Sequence, residues 1–286
     1  MSPSDDVRER SDEEVNALAP GDPHYRAYVG PPSQYDLMGA SQFNLLCALG
    51  LRERHKVLDF GCGSLRLGRL LIPFLRKGRY FGIEPNKWLI EDAIARQVTE
   101  AVIALKAPTF LHNTDFNAAA AGSDFDFIVA QSIFSHAGLD IIQTALKGFR
   151  AALADNGLAA VTMVHPDHPT LPYTPAADRS MRGWVYPRSV AHSLEAFAAA
   201  VAGAGLYGRP IPWYHPRQTW HILAKRPDRL PPVNCTRFLT GAILNEPDWA
   251  DSLTASGERS TAVPGEAPRS LRALVLGLRR KFLGNL

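Results

Sequence analysis

Cysteine is scarce. The chain has three, Cys47, Cys62 and Cys235, too widely spaced for any zinc pattern. So odd and sparse a set excludes a disulfide framework and fits a reducing cytoplasm. The nine histidines are scattered without a recurring paired-ligand spacing, so no metal centre is expected. No apolar run approaches the ~18–20 residues that cross a bilayer. The polar, acid-rich start reads as no secretory leader. Charge of one sign is also lacking. The net charge is +3, and no basic stripe interleaved with aromatics runs through the centre of the chain. Nucleic acid is therefore not an expected partner. No internal repeat is visible. What remains is an ordinary soluble composition, 46% hydrophobic and 21% charged over 286 residues, enough for one large or two modest domains.

Three regions follow from changes in composition: 1–39, 40–227 and 228–286. Residues 1–22 are rich in Asp and Glu and read as a disordered or loosely docked tail. Residues 23–39 turn aromatic and proline-rich, with Tyr25, Tyr28 and Tyr35, and read as a segment packed on the domain as a candidate lid. Residues 40–50 read as a short helix stopped by Gly50. Strands and helices then alternate. Strands are expected at Lys56–Asp59, Arg79–Glu84, Thr109–His112, Phe125–Gln131 and Leu158–Val164, the last after an Asp155-Asn156-Gly157 turn. A helix over Ser189–Ala204 leads to two final strands, Tyr207–Trp213 and Thr219–Lys225, joined through His215-Pro216-Arg217. That joint is too short for a crossover, so the two must be antiparallel. The expected fold is α/β: a doubly wound, seven-stranded sheet, mostly parallel, with a C-terminal antiparallel hairpin. Beyond Arg226 the order fades until 270–284, where Leu271, Leu274, Val275 and Leu278 recur at helical spacing with Arg272, Arg279 and Arg280 around them. Such a basic amphipathic helix suits an acidic membrane surface or self-association, and its bland reading is packing on its own domain.

The stretch that carries chemistry is Val57-Leu58-Asp59-Phe60-Gly61-Cys62-Gly63-Ser64-Leu65-Arg66-Leu67-Gly68. A buried strand runs into glycines, and a helix follows. Glycines let the backbone approach a ligand. The dinucleotide pattern G-x-G-x-x-G is broken, because Arg66 occupies the third glycine position. Asp59 is the telling residue. A carboxylate here would repel a pyrophosphate but suits a ligand with an ammonium group, which favours S-adenosylmethionine over NAD. Glu84 ends the next strand, where an acid accepts from both ribose hydroxyls. Asp115, past the third strand, is placed to accept from an adenine amino group, with Phe116 against the ring.

These residues resemble the class I S-adenosylmethionine-dependent methyltransferases over roughly 40–226. Val57–Gly63 looks like that family's first motif, Tyr80–Glu84 like its acidic second and Asp126–Ser132, with Gln131, like its fourth. One departure stands out: Leu65 stands where the family often has another glycine. The resemblance implies Asp59, Gly61, Cys62, Gly63, Arg66, Glu84, Asp115, Phe116 and Gln131 as cofactor contacts, with Arg66 toward the carboxylate end. It implies in-line transfer of an activated methyl group, for which the protein must align the reactants and exclude water.

An oxygen acceptor, on a small molecule or a glycan- or lipid-linked group, would also need a base. His136 and His165, after the fourth and fifth strands, are the candidates. Tyr28, Tyr35, Tyr173, Arg179, Arg182 and Trp184 are candidate acceptor contacts, the arginines suiting a carboxylate or phosphate. Two rival readings stay open: an NAD-dependent oxidoreductase, and a non-catalytic scaffold that keeps the fold.

Overall fold

The computed structural model describes residues 10–166 and 182–233. The chain divides into two compact units, 1–241 and 242–286, and every described residue lies in the first. Tyr173, Arg179 and the amphipathic stretch 270–284 fall outside the described residues.

The N-terminal part is more ordered than its acidity suggests. Helix α1, Asp12–Asn16, starts with a reciprocal cap: Ser11 Oγ accepts from the Glu14 N–H, and the Glu14 carboxylate accepts from the Ser11 N–H. Of the described acids, Asp12, Glu13 and Glu14 thus occupy the first turn of a helix, and Val15 is buried. Helix α2, Tyr35–Ala48, begins five residues earlier than its apolar pattern indicates, because a turn at Pro32–Gln34 feeds directly into it. It ends just before Gly50.

The sheet has the expected seven strands: β1 Val57–Phe60, β2 Tyr80–Ile83, β3 Thr109–Leu111, β4 Phe125–Ala130, β5 Leu153–Met163, β6 Tyr207–Ile211 and β7 Thr219–Ala224. Their order is β3-β2-β1-β4-β5-β7-β6. The first five are parallel, and β7 lies antiparallel between β5 and β6. One detail departs from the sequence reading. The pairing of β4 with β5 jumps from Phe125↔Leu153 to Phe127↔Leu158, so Asp155-Asn156-Gly157 bulges within a long strand instead of preceding it.

Helices cover both faces. Between the strands run α3 (Gly68–Phe74), α4 (Lys87–Ala93), α5 (Glu100–Lys106), α6 (Leu139–Ala152) and α7 (Leu194–Gly203). Pro73 falls in the last turn of α3, and the chain turns extended at Leu75. On α6, Ile142, Ala145, Leu146, Phe149 and Ala152 form one buried stripe. Alternation along β1 assigns the two cores: Val57 packs with Leu71, Tyr80 and Trp220, whereas Leu58 and Phe60 pack with Phe134, Phe149 and Phe197. Asp59 follows Val57 by two and so points to the first of these faces.

Where the sequence suggests a helix from Ser189, the chain is extended until Ser193, whose Oγ caps α7 by accepting from the Ala196 N–H. Residues 182–193 are instead stitched along the turn after β4. Val185 N–H donates to His136 O, Val190 N–H to Ser135 O and His192 N–H to Val164 O. This seam brings the segment over the carboxyl ends of β1 and β4.

Candidate functional site

A cavity of about 730 Å³ opens at those strand ends. Its floor is the β1 loop. Gly61 and Gly63 have φ of 77° and 53°, the left-handed region. A side-chain carbon on Gly61 would sit 2.1 Å from Ile133 Cδ1, and one on Gly63 would sit 2.7 Å from Val29 Cγ1. Ile133 and Val29 both line the cavity, so the glycines are fixed by backbone angle and by crowding together. Leu65 also adopts φ of 55° and is wholly buried. The chain keeps the left-handed turn without the extra glycine and holds it by burying the leucine.

Two carboxylates face this loop. Asp59 is buried, and burial pushes its pKa up to about 7, against the Tyr80 hydroxyl that donates to it at 2.9 Å and the nearby Arg66 charge. An isolated negative charge is therefore only half formed there at neutral pH, and a cationic ligand would complete it. Glu84 is tied into the loop. Its Oε2 accepts from the Gly63 N–H at 3.1 Å, and its Oε1 accepts from the Asn86 backbone and side-chain amides at 2.9 and 2.8 Å. Burial raises its pKa too, with the Asn86 bonds pulling it down.

The structure brings Asp59, Gly61, Cys62, Gly63, Arg66, Glu84, Phe116 and Gln131 together around the cavity. It does not bring Asp115 there. Asp115 is exposed, and its Oδ1 accepts from the Asn113 amide at 2.6 Å and the Asn117 N–H at 3.0 Å, shaping its own turn. Asn113 lines the cavity in its place, and its buried Oδ1 has no partner. Arg66 lies at the edge, where its guanidinium donates to Val29 O at 3.0 Å.

The opposite wall is aromatic. Trp184 and Tyr186 stack at 19° between rings, and His136 packs edge-on to Tyr186 at 5.0 Å. Tyr28 meets both Trp88 and Tyr186, and the Tyr186 hydroxyl donates to Tyr28 O, so the N-terminal segment and residues 184–187 close over the cavity together. Burial pushes the Tyr186 phenol up to about 12, so it stays a donor. His136 Nδ1 lies 2.6 Å from Arg188 O, a group that can only accept. Nδ1 therefore carries the hydrogen, and Nε2 keeps its lone pair in the neutral ring. Burial lowers the His136 pKa; the Arg188 carbonyl opposes this and the Arg217 charge adds to it.

Three sequence candidates lie away from the cavity. His165 is turned into the sheet, its Nε2 2.8 Å from His221 Nε2 and its Nδ1 2.7 Å from His192 O. Tyr35 lies beneath the loop, its hydroxyl donating to Ser64 O at 2.9 Å. Arg182 is exposed, and its charge helps hold the Asp140 carboxyl below its usual range. Spacing places all three at the correct end of the sheet, but side-chain direction takes them elsewhere. Conversely, Gln42, Asn113, Arg217 and Gln218 line the cavity and carry no motif. Only the position of the β6–β7 joint at the sheet's carboxyl edge hinted at the last two.

Residues 58–159 match the family model of the methyltransferase domain. A search of curated proteins gives no significant match. Among solved structures, magnesium protoporphyrin IX methyltransferase from Synechocystis, with bound S-adenosylhomocysteine, superposes with a TM-score of 0.50 at 14% identity, over 68% of this chain and 84% of that one. An S-adenosylmethionine-dependent methyltransferase from Clostridium acetobutylicum gives 0.51 at 14% identity, over 66% and 92%. These likenesses concern the fold. With the family match over residues 58–159 and the strand order above, the chain is similar to the class I S-adenosylmethionine-dependent methyltransferases.

Proposed function

We propose that the protein uses S-adenosylmethionine to methylate an oxygen of a small-molecule or glycan- or lipid-linked acceptor. The observation that carries this reading is His136: a cavity-lining imidazole whose proton is pinned on Nδ1, leaving Nε2 as a base beside the glycine loop. When bound, S-adenosylmethionine supplies a methyl group already activated on a sulfonium.

The residues present fit such a ligand. Asp59 suits an ammonium, Glu84 Oε2 keeps one lone pair for a ribose hydroxyl, and Asn113 Oδ1, unpartnered among the described residues, suits an amino donor in the role expected of Asp115. Gln131 Oε1 is a further buried acceptor without a partner. A pyrophosphate would meet two acids, which disfavours the oxidoreductase reading. Among the described residues no side chain fills the cavity, which disfavours a scaffold. His136 would take the acceptor's hydroxyl proton as oxygen attacks, and the Tyr28–Tyr186 closure would exclude water. Among the described residues no helix is long and apolar enough to cross a membrane. A cytoplasmic setting, and a membrane or self-association contact through 270–284, belong to this proposal and not to the described structure.

Isothermal titration with S-adenosylhomocysteine and with NAD tests the donor. Micromolar binding of the first alone is expected; binding of NAD alone overturns the reading. Labelled S-adenosylmethionine with extract metabolites then identifies the acceptor, and the chemical shift of a transferred ¹³C-methyl group reports the atom methylated.

A further inference from the structure

The cavity is electrically divided. Asp59 and Glu84 stand at the β1–β2 end, whereas Arg217, an exposed residue, contributes to the cavity wall close enough to His136 and Arg66 for its charge to act on both. Arg217 lies in the joint between β6 and β7, and that joint is firmly held. Its own N–H donates to His215 Nδ1 at 3.1 Å, and His215 Nε2 meets Gln131 Nε2 at 3.3 Å. On one side Gln218 Nε2 donates to Ser132 Oγ at 2.8 Å, and on the other Trp213 Nε1 donates to Ser41 Oγ at 2.9 Å. The backbone that carries the guanidinium is thus fixed on β4 and α2.

Among the described residues no hydrogen bond or ion pair engages the guanidinium. Arg26 and Arg69 meet Asp36, Arg76 meets Glu53, Arg96 meets Asp92 and Arg226 meets Asp228. Arg66, also on the cavity, donates to Val29 O and feels Asp59. Among the described residues Arg217 meets no carboxylate. Its charge disfavours the charged forms of Arg66 and His136. An arginine on the cavity wall, carried on a held backbone and with two basic groups near it, is complemented by a ligand anion, and its planar fork matches carboxylate and phosphate.

We propose that Arg217 anchors a carboxylate or phosphate on the methyl acceptor, setting the acceptor's hydroxyl against His136 and its body against Trp184 and Tyr186. This rests on the methyltransferase reading above and deepens it: the substrate class is a hydroxylated anion. It also moves the anion role from Arg182, which does not line the cavity, to a residue of the last hairpin. The same anion could instead be the methionine carboxylate of the donor, and the experiment separates the two sources.

Protein saturated with S-adenosylhomocysteine is titrated with inorganic phosphate, benzoate and the neutral benzamide. Wild type is expected to bind benzoate at least ten-fold better than benzamide and to bind phosphate. Arg217→Ala is expected to weaken benzoate and phosphate at least ten-fold, while benzamide and S-adenosylhomocysteine change less than two-fold. Arg217→Lys, which keeps the charge without the fork, falls between. Equal benzoate binding by wild type and Arg217→Ala overturns the proposal, as does a wild type that does not prefer benzoate. A matching loss of S-adenosylhomocysteine affinity in Arg217→Ala also overturns it, because the arginine then holds the donor's carboxylate. Failure of wild type to bind S-adenosylhomocysteine at all instead removes the methyltransferase reading itself.

Discussion

The Tyr80 hydroxyl on β2 donates to the Asp59 carboxylate on β1 at 2.9 Å, from inside the core and not from the cavity. A buried acid with a single side-chain donor sits near pH 7 instead of in the usual carboxylate range. The structure thus stores a proton at the position where a cationic ligand would bind.

Ligand binding should therefore release that proton. With a free-state pKa of about 7, S-adenosylhomocysteine binding is expected to release about half a proton at pH 7, nearly one at pH 6 and almost none at pH 8.5. Titration in buffers of different ionisation enthalpy measures this directly. Tyr80→Phe removes the bond that favours the charged form, so the release should shift to higher pH and affinity should fall about ten-fold or more. Proton release independent of pH would show that Asp59 does not meet the ligand's ammonium.

Leu65 offers a test of the loop. Left-handed φ costs a residue with a side chain roughly 1 kcal/mol relative to glycine, whereas removing a buried leucine costs roughly 2–5 kcal/mol. Both Leu65→Ala and Leu65→Gly should destabilise the fold, but alanine keeps the strained angle and glycine does not. Chemical denaturation should rank Leu65→Gly as the milder change by about 1 kcal/mol, the reverse of the order in a helix. Alanine proving milder would mean that φ strain at Leu65 is absent.

His136 governs the rate if it is the base. Its pKa lies below the ordinary histidine value because burial disfavours the imidazolium, so the ring is neutral at pH 7. Methyl transfer should be flat above pH 7 and fall as pH drops through that lowered pKa. His136→Gln should reduce the rate by about 10²–10⁴-fold and abolish this acid limb, with S-adenosylhomocysteine binding retained. A variant that keeps the acid limb would assign it to another group.

His221 should make the fold acid-sensitive. Burial, with the His165 charge, lowers its pKa from 6.5 to about 3. Between those values the unfolded chain binds a proton that the folded chain excludes. Stability from this group is therefore complete above pH 6.5 and is lost as pH falls toward 3, at up to about 1.4 kcal/mol per pH unit. His221→Gln keeps a hydrogen-bonding group and cannot titrate. Its urea midpoint should decline less steeply than that of wild type between pH 6.5 and 4, and parallel declines would remove His221 as the cause.

The strand-and-helix alternation, the glycine loop and the two acids, one near the end of β1 and one just after β2, were legible from residues alone. Buried parallel strands read as continuous apolar runs, and a ligand turn needs small residues beside a specific charge. These features are local, so the cofactor half of the cavity came with them: of its candidates, only Asp115 turned aside, because a neighbouring asparagine and a turn N–H claimed its carboxylate. The acceptor half is different in kind. His136 and His165 follow adjacent strands at the same edge, and nothing in their spacing distinguishes a ring pinned beside the cavity from one bonded to His221 inside the sheet. Arg217 and Gln218 join the site from across the chain, because β7 inserts between β5 and β6 and folds their joint back over β4. Sequence by itself determined the fold class and the kind of ligand at the glycine loop, since both depend on periodicity and short-range chemistry. Which bases and cations face the cavity was decided only by tertiary structure, since side-chain direction and long-range strand order are properties of the packed sheet.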